Sequence, residues 1–122
     1  MLRTLATALA TGLLLTLSAC SGGDPAASFV GSWGSQEPGQ PNLTITEKLE
    51  ISGTDGCNHL SGTGSINGET LRFGNMVSTE MACPDIMTWL GGAYGATVSG
   101  GVMTITDLDD VTIGTLDQAP TQ

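Results

Sequence analysis

The stretch HLSGTGSINGETLRFG, residues 59–74, decides the fold. Its Asn67-Gly68 dipeptide lies between two runs in which apolar and polar residues alternate. Asn-Gly between such runs is the strongest short-range sign of a β-hairpin, because both turn positions favour a positive φ. Leu71 and Phe73 are separated by a single residue, so a strand would place them on the same face of a sheet. The stretch therefore predicts an antiparallel hairpin.

The sequence before this hairpin also alternates. FVGSWG, residues 29–34, is a short strand candidate with Trp33 pointing inward. LTITEKLEIS, residues 43–52, places apolar residues at alternate positions, which favours either one bent strand or two short strands with a break near Glu47 and Lys48. The N-terminal half of the domain is therefore predicted to be β-structure.

The sequence after residue 95 gives a similar prediction. Residues 96–116 contain three strand candidates. Gly100 and Gly101 are predicted to turn the first candidate into the second, and the acidic segment 107–110 to turn the second into the third.

One segment has a helical pattern. CPDIMTWLGGAYGA, residues 83–96, has Pro84 at a first helical position and Asp85 in the first turn, where its charge favours the helix dipole. Gly91 and Gly92 each cost about 1 kcal/mol relative to Ala, so the predicted helix is short or frayed after Leu90. The apolar residues expected to form its core-facing surface are Ile86, Met87, Trp89, Leu90, Ala93 and Tyr94.

The composition suits one small, acidic domain. The chain has 122 residues, 18 of them glycine, and its 12 acidic and 3 basic residues give a net charge of −9. Such a surface repels phosphate backbones, so no nucleic-acid partner is expected. The charge is also opposite to that of a polybasic membrane-binding surface. We expect the acidic residues to act mainly in solubility, and the protein to be a monomer.

The N-terminus predicts export and lipidation. Arg3 precedes an apolar run over residues 5–17, which is too short to span a bilayer comfortably and is typical of a signal peptide. The sequence Leu-Ser-Ala-Cys at residues 17–20 resembles a lipobox, at which lipoprotein signal peptidase cuts before a lipidated Cys20. Two or three acyl chains, palmitate among them, then give stable anchoring. The alternative is a plain secretory signal in which Cys20 stands by chance.

These patterns predict a division of the chain. Residues 1–19 form the lipoprotein signal peptide, residues 20–28 the lipidated Cys20 and a flexible tether without fold, residues 29–117 the domain, and residues 118–122 a tail. The protein is then expected to be exported and held by lipid at the bacterial cell membrane or outer membrane.

The two remaining cysteines allow several hypotheses. Outside the cytoplasm an even pair favours a disulfide, here between Cys57 and Cys83. A metal site would use both cysteines with His59 and Asp55, but structural zinc ligands usually come in pairs two to four residues apart. A nucleophilic Cys57 would need His59, the chain's single histidine, as its base. We expect the disulfide, with no metal ion, cofactor or catalytic residue.

The acidic turn raises the question of calcium. The segment that contains Asp107, Asp109 and Asp110 lacks the central glycine and distal glutamate of an EF-type calcium loop. Aspartate is also common in turns because it bonds to nearby backbone groups. The sequence leaves weak calcium binding open.

Two cysteine motifs carry a family resemblance. GCNHLSGTGSINGETLRFG, residues 56–74, followed by STEMACP, residues 78–84, resembles the META domain, whose family includes HslJ-type heat-shock lipoproteins. The upstream GSW, residues 31–33, is similar to the family's opening strand. The resemblance covers residues 29–116. The segment after the second motif departs from it, because it is shorter than the family's usual helix and contains Gly91-Gly92.

The resemblance implies a fold and a role. The expected fold is α+β and mainly antiparallel β, a small curved or barrel-like sheet with one short helix. It implies an exported, usually membrane-anchored protein with no established catalytic residues. We therefore expect a non-enzymatic envelope lipoprotein linked to stress tolerance or to an unknown envelope partner. The alternative is a metal-dependent or acid/base hydrolase of the envelope that uses His59 and nearby carboxylates.

Overall fold

In the part of the chain that the structure describes, eight β-strands form one antiparallel sheet, and their order in the sheet is their order along the chain. The structure, a computed structural model, describes Gly12 and residues 24–120. The strands are β1 (Gly31–Gly34), β2 (Asn42–Ile45), β3 (Glu50–Thr54), β4 (His59–Asn67), β5 (Thr70–Ser78), β6 (Gly95–Ser99), β7 (Val102–Thr106) and β8 (Thr112–Asp117). Apart from Gly12, the predicted signal peptide lies outside the described residues, and so does Cys20. Within them, no helix has the length and apolar character needed to cross a membrane.

The first and last strands approach each other, so the sheet is a nearly closed barrel. Trp33 forms a bridge with Gln118 just beyond β8, and the Ala119 N–H donates to the Ser32 carbonyl at 2.8 Å. The predicted barrel-like antiparallel sheet is confirmed.

The alternation along the strands builds the core. Inward-facing side chains from every strand meet inside the barrel, and Trp33 is almost completely buried, as predicted. The buried apolar residues are Phe29, Trp33, Leu43, Ile45, Ile51, Leu60, Leu71, Phe73, Leu90, Ala96, Met103, Ile105 and Leu116.

The central hairpin forms as predicted, but its turn lies one residue further along. Asn67 pairs with Thr70, which makes Gly68 and Glu69 the two turn residues. Gly68 has a φ of 65°, whereas Asn67 and Glu69 do not adopt positive φ. This is the pattern of hairpins with glycine at the first turn position, in which asparagine need not enter the left-handed region.

The other turns follow the sequence closely. Gly100 and Gly101, with φ of 59° and 77°, connect β6 to β7 as predicted, and the acidic segment 107–110 connects β7 to β8. Residues 43–52 form two strands rather than one bent strand. The break at residues 46–49 contains Leu49 in the left-handed region, with a φ of 61°.

The predicted short helix from Pro84 is not present. Within residues 83–96, helical structure is limited to a 3₁₀ turn at Trp89–Gly92. Asp85 has a φ of 75°, which no α-helical residue adopts, so the chain turns at the position where the helix was to begin. Met87, predicted to enter the core, is 80% exposed, whereas Leu90 is buried.

The fold begins earlier than predicted. Residues Pro25–Phe29 form a 3₁₀ turn, in which the Asp24 carboxylate accepts a hydrogen bond from the Ala26 N–H at 3.1 Å. The Phe29 carbonyl accepts a hydrogen bond from the Trp33 indole at 2.9 Å. The last residues of the predicted tether therefore have a defined structure, and the strand itself begins at Gly31.

Antiparallel order gives the barrel two distinct ends. One end, which we call the terminal end, holds the first 3₁₀ turn, residues 118–120 and the tight turns at residues 46–49, 68–69 and 100–101. The opposite end, which we call the loop end, holds the connections at residues 35–41, 55–58, 79–94 and 107–111. Both cysteine motifs reach the loop end.

Candidate functional site

The loop between β3 and β4 is organised around a buried carboxylate. Asp55 is only 3% exposed. Its Oδ1 accepts hydrogen bonds from the backbone N–H groups of Cys57 at 2.9 Å and Asn58 at 2.6 Å. The Asp55 N–H donates to the Asn58 carbonyl at 3.1 Å. Asp55 therefore holds the loop in a tight turn through local side-chain-to-backbone bonds.

Asn58 connects this loop to the segment that follows β5. Its side-chain oxygen accepts hydrogen bonds from the Thr79 hydroxyl at 3.1 Å and from the Met81 N–H. Its amide group donates to the Met81 carbonyl at 3.4 Å. One side chain thus fastens two segments that are more than twenty residues apart in sequence.

A disulfide joins the same two segments. Cys57 and Cys83 are bonded, with their Cα atoms 5.9 Å apart and a sequence separation of 26. The predicted pairing is confirmed. Because both sulfurs are in the bond, neither cysteine is a free thiolate that could attack a substrate or hold a metal.

The remaining members of the hypothetical metal or nucleophile set do not converge. His59 is exposed at the start of β4, and its backbone N–H bonds to the Thr79 hydroxyl at 3.0 Å. In residues 24–120 its imidazole makes no hydrogen bond or ion pair with a carboxylate. The same residues contain no group of three or more His, Cys, Asp or Glu side chains placed to hold a metal ion.

The segment of residues 79–94, which we call the crossing segment, passes over the loop end. Its first half is fastened to the β3–β4 loop, and Ile86 lies against Gly39 and Gly56. Its second half reaches β8, where the Trp89 ring packs so closely on Gly114 that a Cβ there would lie 2.5 Å from it. The crossing segment therefore closes the loop end of the barrel.

Comparison with protein families identifies this arrangement. The family model of the META domain matches residues 16–120, which is most of the chain. The chain belongs to the META domain family. A comparison with curated proteins gives no significant match.

Two solved structures share this META fold. One NMR structure is 18% identical with a TM-score of 0.56, and the match covers 78% of this chain and 94% of that chain. An NMR structure of a protein from Burkholderia xenovorans is 19% identical with a TM-score of 0.58, and the match covers 93% of this chain and 100% of that chain. At such identities the likeness concerns the fold.

The acidic turn of this META domain also uses its carboxylate locally. The Asp107 Oδ1 accepts hydrogen bonds from the N–H groups of Asp109 at 2.8 Å and Val111 at 3.1 Å. Asp110 has a φ of 61°, a conformation that aspartate tolerates better than most residues. These bonds explain the aspartates as turn-forming residues, and weak calcium binding at this turn stays a hypothesis.

Sequence reasoning missed the roles of Asp55 and Asn58. Asp55 was considered only as a metal ligand, and Asn58 was assigned no role of its own. Asp55 lies two and three residues before the Cys57 and Asn58 N–H groups that it binds. This is the spacing of an Asx turn, and it could have revealed the role of Asp55. The partner of Asn58 lies 23 residues away, so local spacing carries no sign of it.

Proposed function

We propose that this META domain is a non-enzymatic lipoprotein of the bacterial cell envelope, anchored by lipid on Cys20 and acting in stress tolerance or in binding an envelope partner. Membership of the family favours an envelope-related, non-enzymatic role. The lipobox-like residues 17–20 motivate the anchor. Two or three acyl chains would hold the protein stably on a membrane.

One observation carries the non-enzymatic part of the proposal. The side chains that could have supplied chemistry at the two motifs are occupied in holding the fold. Asp55 holds its own loop, and Cys57 and Cys83 are bonded to each other. His59, the single histidine, is exposed and lacks a carboxylate partner in residues 24–120. A general base is usually oriented by a third group within a cleft, which the exposed imidazole lacks.

The disulfide supports an envelope location, and the point at which the chain enters the fold indicates how an anchored domain would be oriented. A structural disulfide suits a compartment outside the reducing cytoplasm. The chain enters the fold at Asp24, at the terminal end, and the four residue-to-residue steps from Cys20 to Asp24 can span at most about 14 Å. A lipidated Cys20 would therefore hold the terminal end beside the membrane and direct the loop end, with both family motifs, away from it.

Detergent partition of the exported protein tests the anchor. We expect the protein to enter the detergent phase of a cloud-point separation, and the Cys20→Ala variant to stay in the aqueous phase because it has no thiol to acylate. The Cys57→Ser/Cys83→Ser variant is the matched control and should partition like the unmodified protein. A Cys20→Ala variant that still enters the detergent phase would contradict the proposed anchor.

Metal analysis tests the non-enzymatic part against a zinc hydrolase. Elemental analysis of protein purified without chelators should show no stoichiometric zinc, because both thiols are in the disulfide. A content of about one zinc per chain, lost in a His59→Ala variant, would revive the hydrolase hypothesis.

A further inference from the structure

The barrel is incompletely paired along one side of β5. β5 runs from Thr70 to Ser78 and pairs with β4 as far as the match of Leu60 with Ser78. Its pairing with β6 is limited to Leu71 and Arg72, followed by one bond from the Phe73 N–H to the Tyr94 carbonyl. Within residues 24–120, the half of β5 from residue 74 to residue 78, which we call the open edge, has no strand partner on the β6 side.

The crossing segment does not fill this gap, because it leaves β5 on the opposite side. The Thr79 N–H donates to the His59 carbonyl at 3.1 Å, which continues the pairing toward β4. Asn58 and the disulfide then hold the segment against the β3–β4 loop. The chain bonds to β5 again at Tyr94, which accepts from the Phe73 N–H one residue before the open edge begins.

The open edge keeps strand geometry beyond a bulge. Asn75 has a φ of 48°, and the register shifts by one residue between the Ser61–Val77 and Thr63–Gly74 pairs. The bulge bends the strand locally, as bulges at sheet edges do. Regular pairing with β4 resumes at Val77, whose side chain is 66% exposed. The open edge thus offers unpaired backbone groups beside an exposed apolar side chain.

An unpaired edge can accept an additional strand from another polypeptide. In such binding, main-chain hydrogen bonds supply affinity and alternate side chains supply specificity. Natural proteins usually cover or charge such an edge, because it otherwise invites pairing. The open edge itself contains no charged residue: it reads Gly-Asn-Met-Val-Ser.

The negative charge of the protein indicates which kind of strand the open edge would bind. The chain carries a net charge of −9, and Glu80 stands two residues beyond the open edge. Two copies of so acidic a protein repel each other, whereas a basic segment is attracted to the protein by its long-range electrostatic field. We propose that the open edge binds an extended, cationic segment of an envelope protein, in which basic residues alternate with apolar ones. This inference rests on the proposed function, since it assigns the partner-binding surface.

A defined peptide tests the proposal. The probe is a fluorescently labelled peptide of alternating lysine and valine, added to the exported protein in non-ionic detergent. We expect saturable binding by fluorescence anisotropy, with slower hydrogen exchange at the amides of Met76 and Ser78, which alternate with the β4-directed amides of Val77 and Thr79. The same peptide with every backbone nitrogen methylated keeps its charge but cannot donate to a strand, so it should bind at least about tenfold more weakly. A peptide with glutamate in place of lysine should also fail to bind.

A pair of variants locates the site. Val77→Lys introduces a charge that repels the peptide at the open edge and should weaken binding by about tenfold or more. Val111→Lys, at an exposed position in the β7–β8 turn, changes the net charge equally and should bind the peptide normally. Equal loss in both variants, or full binding of the methylated peptide, would mean general electrostatic attraction and overturn the proposal.

Other occupants give distinct results. A concentration-dependent dimer that Val77→Lys abolishes would assign the open edge to a second copy and overturn the proposal. Slow exchange at the amides of Met76 and Ser78 in the monomer without peptide would mean that another segment of the chain covers the edge, and would also overturn it. Failure of the detergent-partition test leaves these outcomes unaffected, so the anchor and the binding surface are judged separately.

Discussion

Breaking the disulfide should cost this META domain a large part of its stability. Cys57 and Cys83 close a loop of 26 positions. In the chain-entropy model, a cross-link of that length lowers the entropy of the unfolded chain by an amount equal to about 3–4 kcal/mol at 25 °C. Small domains have total unfolding free energies of about 5–15 kcal/mol, so the bond accounts for a substantial share.

The folded state gives a reason to expect nearly this full value. Asn58 fastens the crossing segment independently of the sulfurs, so the native structure should survive reduction. Both cysteines are only half-buried, and a serine in their place leaves little unfilled volume. The loss should therefore come mostly from a less restricted unfolded chain, and the melting temperature should fall by about 15 °C.

Urea unfolding measures the effect in two ways that should agree. The Cys57→Ser/Cys83→Ser variant and the reduced unmodified protein should both lose about 3 kcal/mol of unfolding free energy. The matched control is the reductant added to the double variant, which should change nothing. A loss below about 1 kcal/mol in either case would refute the reasoning, because the bond would then not restrict the unfolded chain as its loop length requires.

Two further predictions concern the attachment of the crossing segment. Gly114→Ala places a Cβ 2.5 Å from the Trp89 ring and should lower the free energy of unfolding in urea by about 1–3 kcal/mol. The control Gly74→Ala, whose Cβ meets nothing nearer than 3.5 Å, should change it by less than about 1 kcal/mol. Equal losses in the two variants would contradict the close contact. Asn58→Ala should cost about 1–3 kcal/mol and speed amide exchange at Met81, whose N–H loses its acceptor; unchanged exchange there would contradict the bridging role.

The strands and most turns were predictable because their causes are local. Alternation of apolar residues decides which face of a strand is buried, and it placed Trp33, Leu71 and Phe73 correctly. Glycine pairs and aspartates mark turns through the conformations they tolerate, as at Gly100-Gly101. The hairpin turn at Gly68 was placed one residue early, because Asn-Gly specifies that a turn occurs more strongly than it specifies the register.

The helix prediction was wrong because tertiary contacts override the local pattern. Pro84 and Asp85 resemble a helix start, yet Asp85 adopts a positive φ directly after the disulfide-bonded Cys83. The segment must reach both the β3–β4 loop and β8, where Trp89 packs on Gly114. Helical spacing in a short segment carries no information about such distant attachments.

The two cysteine motifs are best understood from the connection that they fasten. The link from β5 to β6 is the longest in the sheet, and it crosses the loop end instead of turning back as a hairpin. Closing a long connection costs conformational entropy, and residues 79–94 form only one 3₁₀ turn to offset it. A covalent bond and the Asn58 side chain attach its first half, and Leu90 and Trp89 attach its second half. Because the connection is held toward β4, the open edge of β5 has no strand partner on the β6 side within residues 24–120. The motifs therefore serve to fasten the barrel, and the surface they leave open lies beside them on β5.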